Sequence, residues 1–278
     1  MKLSKLFDKS EEKEFTTFPT TLESYAWYKH ILVLIIAVIV SIALSLVIFS
    51  ISGLDPNASG VLKVIFSAIT MILLIPGIYV GFKLIYGIPF STQVAPVRKW
   101  SWGIYIKTFI ITLIVYGAVQ VLPLLASGVP IVNHTSIAVL ILFLILPIFQ
   151  GFAEEFLCRG VLMQTFGSWF KIPIVAIVLQ AAIFTVLHPN NILAIIGVFC
   201  IGFFYGLITW YSQGLESSSA MHAVNNMMAF LAMALGLQQG LAPDGAFTFV
   251  INLVSVLIPI IIVVALDKKF NLFGSENK

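Results

Sequence analysis

Ionisable and amide side chains interrupt three apolar stretches of the chain, and their types suit acid–base chemistry. The residues concerned are Glu154, Glu155, Arg159, His188, His222 and Asn226. Each stretch is long enough to cross a bilayer, where an ionisable side chain costs at least ~3 kcal/mol on insertion scales. We therefore expect each of these side chains to have a buried partner or a function.

The two adjacent glutamates differ in their local surroundings. Glu155 precedes Arg159 by four residues, so the two side chains share one helical face in the better orientation for an ion pair. Glu154 lies about 100° further around the helix and has no cation near it in the sequence. We interpret Glu155 and Arg159 as a supporting pair and Glu154 as a general base, because an unpaired buried carboxylate suits that role. The alternative is a packing network in which both acids share Arg159.

His188 is in register with Glu154. It follows Phe184 by four residues and lies on the same helical stripe. The midpoint between positions 154 and 188 is residue 171, which lies in a predicted turn. Antiparallel helices place such positions at equal depth, roughly 20 to 25 Å from the turn at about 1.5 Å per residue. Taken alone, His188 could equally be an interfacial helix end.

A third group combines an imidazole with an amide. His222 and Asn226 are four residues apart and Asn225 is three from the histidine, so all three can face one way on a helix. An asparagine inside a membrane can simply join helices. Its pairing with His222 favours a functional interpretation.

Composition sets the class of protein. Hydrophobic residues make up 60% of the 278 residues and charged residues 10%, which excludes most soluble architectures. Only 12 charged residues lie within residues 31–266. The net charge of +3 comes without a Lys/Arg-rich run, so nothing indicates nucleic-acid binding. Cys158 and Cys200 both lie in apolar stretches and do not indicate a disulfide framework.

A helical crossing needs about 20 apolar residues, and the chain contains eight such stretches. They are residues 31–53, 61–85, 103–126, 136–166, 172–188, 191–211, 218–237 and 246–266. The predicted fold class is therefore all-α: a polytopic integral membrane protein with about eight transmembrane helices around an intramembrane polar cavity.

Lys and Arg accumulate on one side of this predicted bundle. The opposite loops, near residues 54–60, 127–135 and 238–245, contain neither. Because cytoplasmic loops retain positive charge, we expect both termini to be cytoplasmic. The predicted division of the chain is a solvated N-terminal tail over residues 1–30, a helical membrane domain over residues 31–266 and a C-terminal tail over residues 267–278.

Three motifs together resemble a known family. They are Glu-Glu-x-x-x-Arg at Glu154 to Arg159, Phe-x-x-x-His at Phe184 to His188 and His-x-x-x-Asn at His222 to Asn226. In this order and on separate helices, they resemble the CPBP (CAAX protease and bacteriocin-processing, or Abi) family of intramembrane endopeptidases. This family is related to the eukaryotic CAAX prenyl endopeptidase. The resemblance covers a catalytic core at about residues 136–237.

The resemblance implies roles for these residues. Glu154 and His188 would hold and activate a water molecule for attack on a peptide carbonyl, and His222 and Asn226 would stabilise the oxyanion. Glu155, Arg159 and Phe184 would support them. The implied partners are a peptide or protein substrate reached within the membrane and the lipid bilayer itself, and the implied location is a bacterial plasma membrane.

Two alternatives remain open from the sequence. Glu154, His188 and His222 could ligate zinc with an open fourth position. We favour no cofactor, because the chain has no His-Glu-x-x-His spacing and Asn226 fits an oxyanion donor better than a zinc ligand. The second alternative is a transporter or a non-enzymatic scaffold of bacteriocin-immunity type, although polar residues enter the membrane deeply only in the second half of the chain.

The predicted helices raise one geometric problem. A full-length sixth helix would put His222 near the cytoplasmic end, whereas His188 would lie roughly 20 to 25 Å above its turn. The two imidazoles could then contact one water molecule only if the helices are tilted or re-entrant, or line a deep funnel open to the cytoplasm.

Overall fold

A computed structural model describes residues 3–10, 13–53, 59–133, 135–188, 191–237 and 245–274. Every regular element in this part of the chain is helical, as the sequence predicts. The α-helices are α1 (Lys29–Ser52), α2 (Gly60–Ile72), α3 (Leu74–Tyr86), α4 (Phe90–Val94), α5 (Trp102–Tyr116), α6 (Leu122–Ala126), α7 (Ile137–Glu155), α8 (Gln164–Phe170), α9 (Pro173–Val186), α10 (Ile192–Ser212), α11 (Glu216–Ala234) and α12 (Ala246–Phe270). Most of the loops predicted near residues 54–60 and 238–245, namely residues 54–58 and 238–244, lie outside the described residues.

Six continuous helical stretches among the described residues are long and apolar enough to cross a membrane. They are Lys29–Ser52, Gly60–Tyr86, Trp102–Ala126, Ile137–Phe170, Ile192–Ser212 and Thr248–Phe270. The protein is therefore an integral membrane protein, and these stretches correspond to six of the eight predicted spans.

The two remaining predicted spans form one short helix and one buried helix with polar side chains, so a count of eight crossings is not confirmed. Helix α9 has 14 residues, which gives about 21 Å against a hydrocarbon thickness of about 30 Å. Helix α11 has 19 residues but carries the polar side chains of the third motif and is largely buried among its neighbours. A helix such as α11 that is surrounded by protein does not need the apolar composition of a lipid-facing span.

The helix that carries the glutamates is irregular where the chemistry is concentrated. Helix α7 ends at Glu155, and the chain continues through a π-helical segment, Phe156–Met163, into α8. Arg159 lies inside the π segment. A wider π turn inside an α-helix is rare and is frequently found at functional sites. A second π segment, Gly117–Val121, connects α5 to α6.

The loop between α10 and α11 lies deep in the molecule. A Cβ atom built on Gly160 would lie 3.7 Å from Cδ1 of Leu215, so this loop packs against the π segment. The first turn of α11 is therefore enclosed by protein.

The N-terminal residues fill the space beneath that loop and do not form the solvated tail that the sequence predicts. Phe15 and Thr16 are fully buried. The Phe15 amide donates a hydrogen bond to Oε1 of Gln213 at 2.7 Å, and a side chain at Gly167 would collide with the Thr16 carbonyl. The many charges of this segment indicated a solvated tail, but its few apolar residues pack against the bundle.

The C-terminal tail also begins later than predicted and packs against α10. Helix α12 continues to Phe270, and Asp267 is buried. Its carboxylate accepts hydrogen bonds from the Tyr211 hydroxyl at 2.9 Å and from the Phe273 amide at 2.8 Å.

Candidate active site

The structure brings the acids and imidazoles of the three motifs into one cluster. Glu154 and His222 are buried, with 6% and 3% of their surface exposed. Oε2 of Glu154 lies 3.7 Å from Nε2 of His188 and 3.5 Å from Nε2 of His222. These separations are longer than a normal hydrogen bond, and one water molecule can bridge groups at such a spacing. The predicted meeting of Glu154 with both histidines is confirmed.

Each imidazole is oriented by its other ring nitrogen. Nδ1 of His188 lies 2.8 Å from the Phe184 carbonyl oxygen, and Nδ1 of His222 lies 2.7 Å from Oε1 of Glu155. Both partners are acceptors, so Nδ1 carries the hydrogen in each ring. In the neutral form, each Nε2 atom therefore directs a lone pair toward Glu154.

Glu155 connects the cluster to a buried cation. Nη1 of Arg159 donates to Oε1 of Glu155 at 2.9 Å, and both side chains are fully buried. The predicted ion pair is confirmed, and Glu155 also accepts a hydrogen bond from Nδ1 of His222. The acids do not share Arg159 in a common packing network, because Glu154 contacts the imidazoles and accepts a hydrogen bond from Nε2 of Gln150 at 3.0 Å.

Arg159 is held from several sides. Its Nη2 atom donates to the Gly202 carbonyl oxygen at 2.8 Å, and Nε2 of Gln180 donates to the same oxygen at 2.8 Å. The guanidinium also lies over the rings of Phe184 and Tyr205, at 5.3 Å and 5.8 Å from their centroids. These contacts fix the cation in a low-dielectric setting, where donation to two separate acceptors and stacking on rings favour arginine over lysine.

Asn226 belongs to a separate hydrogen-bonded chain. The Tyr116 hydroxyl donates to Oδ1 of Asn225 at 2.9 Å, and Nδ2 of Asn225 donates to Oδ1 of Asn226 at 3.2 Å. This arrangement leaves Nδ2 of Asn226 to donate elsewhere. The contacts of the described residues do not join Asn226 directly to Glu154.

Small residues allow the helices of the site to approach closely. A Cβ atom at Gly151 would lie 2.8 Å from the Ala223 amide nitrogen, so α7 crosses α11 backbone to backbone beside His222. A Cβ atom at Gly206 would lie 2.6 Å from Nε2 of Gln180, which places α10 against α9. Small residues at helix crossings are typical of membrane bundles.

The first turn of α11 is fixed by a second, partly buried ion pair. Nη1 and Nη2 of Arg98 donate to the two carboxylate oxygens of Glu216 at 2.6 Å and 2.7 Å. The Ser101 amide donates to Oε1 of Glu216 at 2.8 Å. An acidic side chain at a helix N-terminus also interacts favourably with the helix dipole. The pair therefore holds the helix that carries His222.

Three side chains of the cluster have the chemical types that zinc prefers, namely Glu154, His188 and His222. No group of three or more His, Cys, Asp or Glu side chains within the described ranges has the geometry to hold a metal ion. The zinc alternative therefore stays a prediction.

Two contributors were missed from the sequence. Gln150 precedes Glu154 by four residues, and this spacing is the signal that could have identified it. Tyr116 gave no such signal, because it reaches Asn225 from a different helix. Gln180 lies on the same helical stripe as His188 and donates to the Gly202 carbonyl oxygen that also accepts from Arg159.

Comparisons with known proteins agree with the motifs. Residues 135–228 match the family model described as type II CAAX prenyl endopeptidase Rce1-like, which confirms the resemblance indicated by the three motifs. The chain is 30% identical over 179 residues to the uncharacterized protein YyaK of Bacillus subtilis (strain 168), an alignment that covers 60% of this chain. The chain spans 59% of the length of that curated relative. No solved structure matches it significantly.

Proposed function

We propose that this chain, which contains an Rce1-like segment, is an intramembrane endopeptidase that hydrolyses a peptide bond of a membrane-associated peptide or protein. The observation that carries the proposal is the position of Glu154 Oε2 between the Nε2 atoms of His188 and His222. A carboxylate flanked by two oriented imidazoles can hold a water molecule and accept its proton.

The first step is the attack of this water on the substrate carbonyl. Glu154 takes one proton from the water while His188 accepts a hydrogen bond from the other, and the water oxygen bonds to the carbonyl carbon. The carbonyl electron pair moves to its oxygen. His222 and the free Nδ2 hydrogens of Asn226 donate to that oxyanion, because donors fixed in advance at developing charge stabilise a transition state.

The second step is the collapse of the tetrahedral intermediate. Glu154 returns the proton to the amide nitrogen, the carbon–nitrogen bond breaks, and a carboxylic acid and an amine leave. One carboxylate thus serves as base and then as acid, and no covalent intermediate is required.

The charge balance of the cluster supports His222 as the charged oxyanion donor. Glu154, Glu155 and Arg159 carry two negative charges and one positive charge, so one protonated imidazole makes the cluster neutral. A buried cluster inside a membrane favours neutrality. His222 is the imidazole that contacts both carboxylates, and with both nitrogens protonated it donates to Glu155 and to the oxyanion.

Exposure of the site indicates where the substrate enters. The His188 side chain is 40% exposed, whereas that of Glu154 is 8% exposed. A substrate arriving beside His188 covers the only strongly accessible member of the described acid–imidazole cluster, and so excludes bulk water from the reacting groups. We place this reaction in a bacterial plasma membrane with both termini cytoplasmic.

The proposal is tested with purified protein in lipid nanodiscs and a randomised peptide library. His188→Ala, His222→Ala and Asn226→Ala should each lower cleavage at least about 100-fold, which is typical for loss of an acid–base or oxyanion group. Cleavage at the wild-type rate in all three variants would eliminate this site.

A further inference from the structure

A cavity of about 320 Å³ adjoins the amide chain that orients Asn226. Its walls come from α10, α11, α12, the end of α5 and the second π segment. Asn225 and Tyr116 line it directly, and the same two side chains are joined by the hydrogen bond that leads to Asn226. The cavity is therefore adjacent to the proposed oxyanion site.

Polar atoms of the cavity wall remain available for a ligand. Nε2 of Gln120 donates to Oδ1 of Asn252 at 3.2 Å and to Oγ of Ser255 at 3.0 Å. These bonds use the Nε2 donor of Gln120 and the Oδ1 acceptor of Asn252. Within the described part of the chain, no hydrogen bond engages Oε1 of Gln120 or Nδ2 of Asn252, so the wall offers one acceptor and one donor.

The cavity wall carries no formal charge. The rest of its lining consists of apolar side chains and Gly197. A charged ligand group would enter this low-dielectric space without a counter-ion, at a large desolvation cost. A carboxamide group would instead donate to Gln120 and accept from Asn252. A volume near 320 Å³ is at the lower end of small-ligand pockets and is ample for one side chain.

We propose that this cavity binds the carboxamide side chain of a substrate Asn or Gln next to the scissile bond. This inference rests on the proposed endopeptidase function and names its substrate preference. Gln120 and Asn252 are the specificity residues, and they read the carboxamide through one acceptor and one donor. Binding there also places the neighbouring peptide carbonyl beside the Tyr116–Asn225–Asn226 chain.

Mapping of cleavage sites by mass spectrometry tests the preference. In a randomised library, wild-type protein should favour Asn and Gln over Asp and Glu about tenfold at one position near the cut, since a hydrogen-bonding site discriminates strongly between such groups. Gln120→Leu and Asn252→Leu should reduce that ratio below about twofold and leave preferences at other positions unchanged. Gln93→Leu, a matched amide substitution on α4 away from the cavity, should behave as wild type.

A crosslinking measurement decides the question if these variants fold poorly. In the Glu154→Gln background, a photoreactive residue replaces Leu253, which lines the cavity. The protein is then mixed with an Asn-containing library peptide and irradiated. We expect a crosslink that excess unlabelled peptide abolishes. The same photoreactive residue at Met71, which lines a different groove, should give no crosslink.

The outcomes separate the two proposals. Cleavage with the same Asn and Gln preference in folded Gln120→Leu and Asn252→Leu, or no crosslink at position 253, overturns the cavity assignment and leaves the endopeptidase proposal intact. Failure of wild-type protein to cleave any library peptide overturns the endopeptidase proposal, and the crosslink then decides alone whether the cavity binds peptide.

Discussion

Nδ1 of His222 lies 2.7 Å from Oε1 of Glu155, and this contact decides which ring nitrogen of the imidazole is available for chemistry. Because Glu155 accepts the Nδ1 hydrogen, Nε2 is turned toward Glu154, 3.5 Å away. Glu155 is in turn held by Arg159 at 2.9 Å. The second glutamate of the motif thus orients a histidine, as the acid of a catalytic triad does.

Removing the Glu155 carboxylate alone should strongly destabilise the protein. Removing Arg159 together with Glu155 should restore the stability but not the activity. Glu155→Gln leaves the Arg159 guanidinium buried without its carboxylate, at a cost of about 3–5 kcal/mol of unfolding free energy. The double variant Glu155→Leu/Arg159→Met should recover most of that stability, because a buried ion pair replaced by apolar groups is often neutral. Thermal unfolding and peptide cleavage measure the two effects. An active double variant would contradict the orienting role of Glu155.

The helix crossing at Gly151 should tolerate no side chain. In Gly151→Ala, the new Cβ atom would lie 2.8 Å from the Ala223 amide nitrogen and force α7 away from α11. We expect a loss of about 1–3 kcal/mol of stability from overpacking, together with lower cleavage. Gly117→Ala is the matched control, because a Cβ atom there meets nothing within 4 Å. Equal melting temperatures for the two variants would refute the close crossing.

Loss of the Tyr116 hydroxyl should affect turnover more than substrate binding. Tyr116→Phe removes the hydrogen bond to Asn225 and so releases the amide of Asn226 from its fixed orientation. An oxyanion donor acts in the transition state, so kcat should fall about tenfold with KM nearly unchanged. Tyr79→Phe, at an exposed ring on α3, is the control. A change confined to KM would argue against the positioning role.

A chelator distinguishes the metal-free mechanism from the zinc alternative. If Glu154 acts directly as the base, 1,10-phenanthroline should leave the cleavage rate within about twofold of the untreated rate, because no metal affinity is linked to the active state. The measurement is peptide cleavage before and after dialysis with the chelator. Loss of activity that added zinc restores would establish the alternative in which Glu154, His188 and His222 are ligands.

The residues of the site could be predicted from the sequence because ionisable side chains have a high free-energy cost inside a membrane. Glu154, His188 and His222 stood out against apolar surroundings, and the spacing of four between Glu155 and Arg159 predicted their ion pair correctly. Such signals depend only on residue type and local helical geometry.

Helix length and depth could not be predicted in the same way. Hydropathy alone does not show that α9 has only 14 residues or that α11 is largely buried among its neighbours, so both were expected to be ordinary membrane spans. The burial of Phe15 and the contact between Tyr116 and Asn225 are long-range packing, which a single sequence does not reveal. The π segment after Glu155 likewise has no local sequence signature.

The most direct test of the account is peptide cleavage by Glu154→Gln, which keeps the size of the side chain and removes its basicity. We predict a rate lower by about 10³-fold, within the range typical for loss of a general base, with unchanged melting temperature and unchanged peptide crosslinking. Glu23→Gln, at an exposed glutamate, should cleave as wild type does. Cleavage by folded Glu154→Gln within about twofold of the wild-type rate would contradict the assignment of Glu154 as the base.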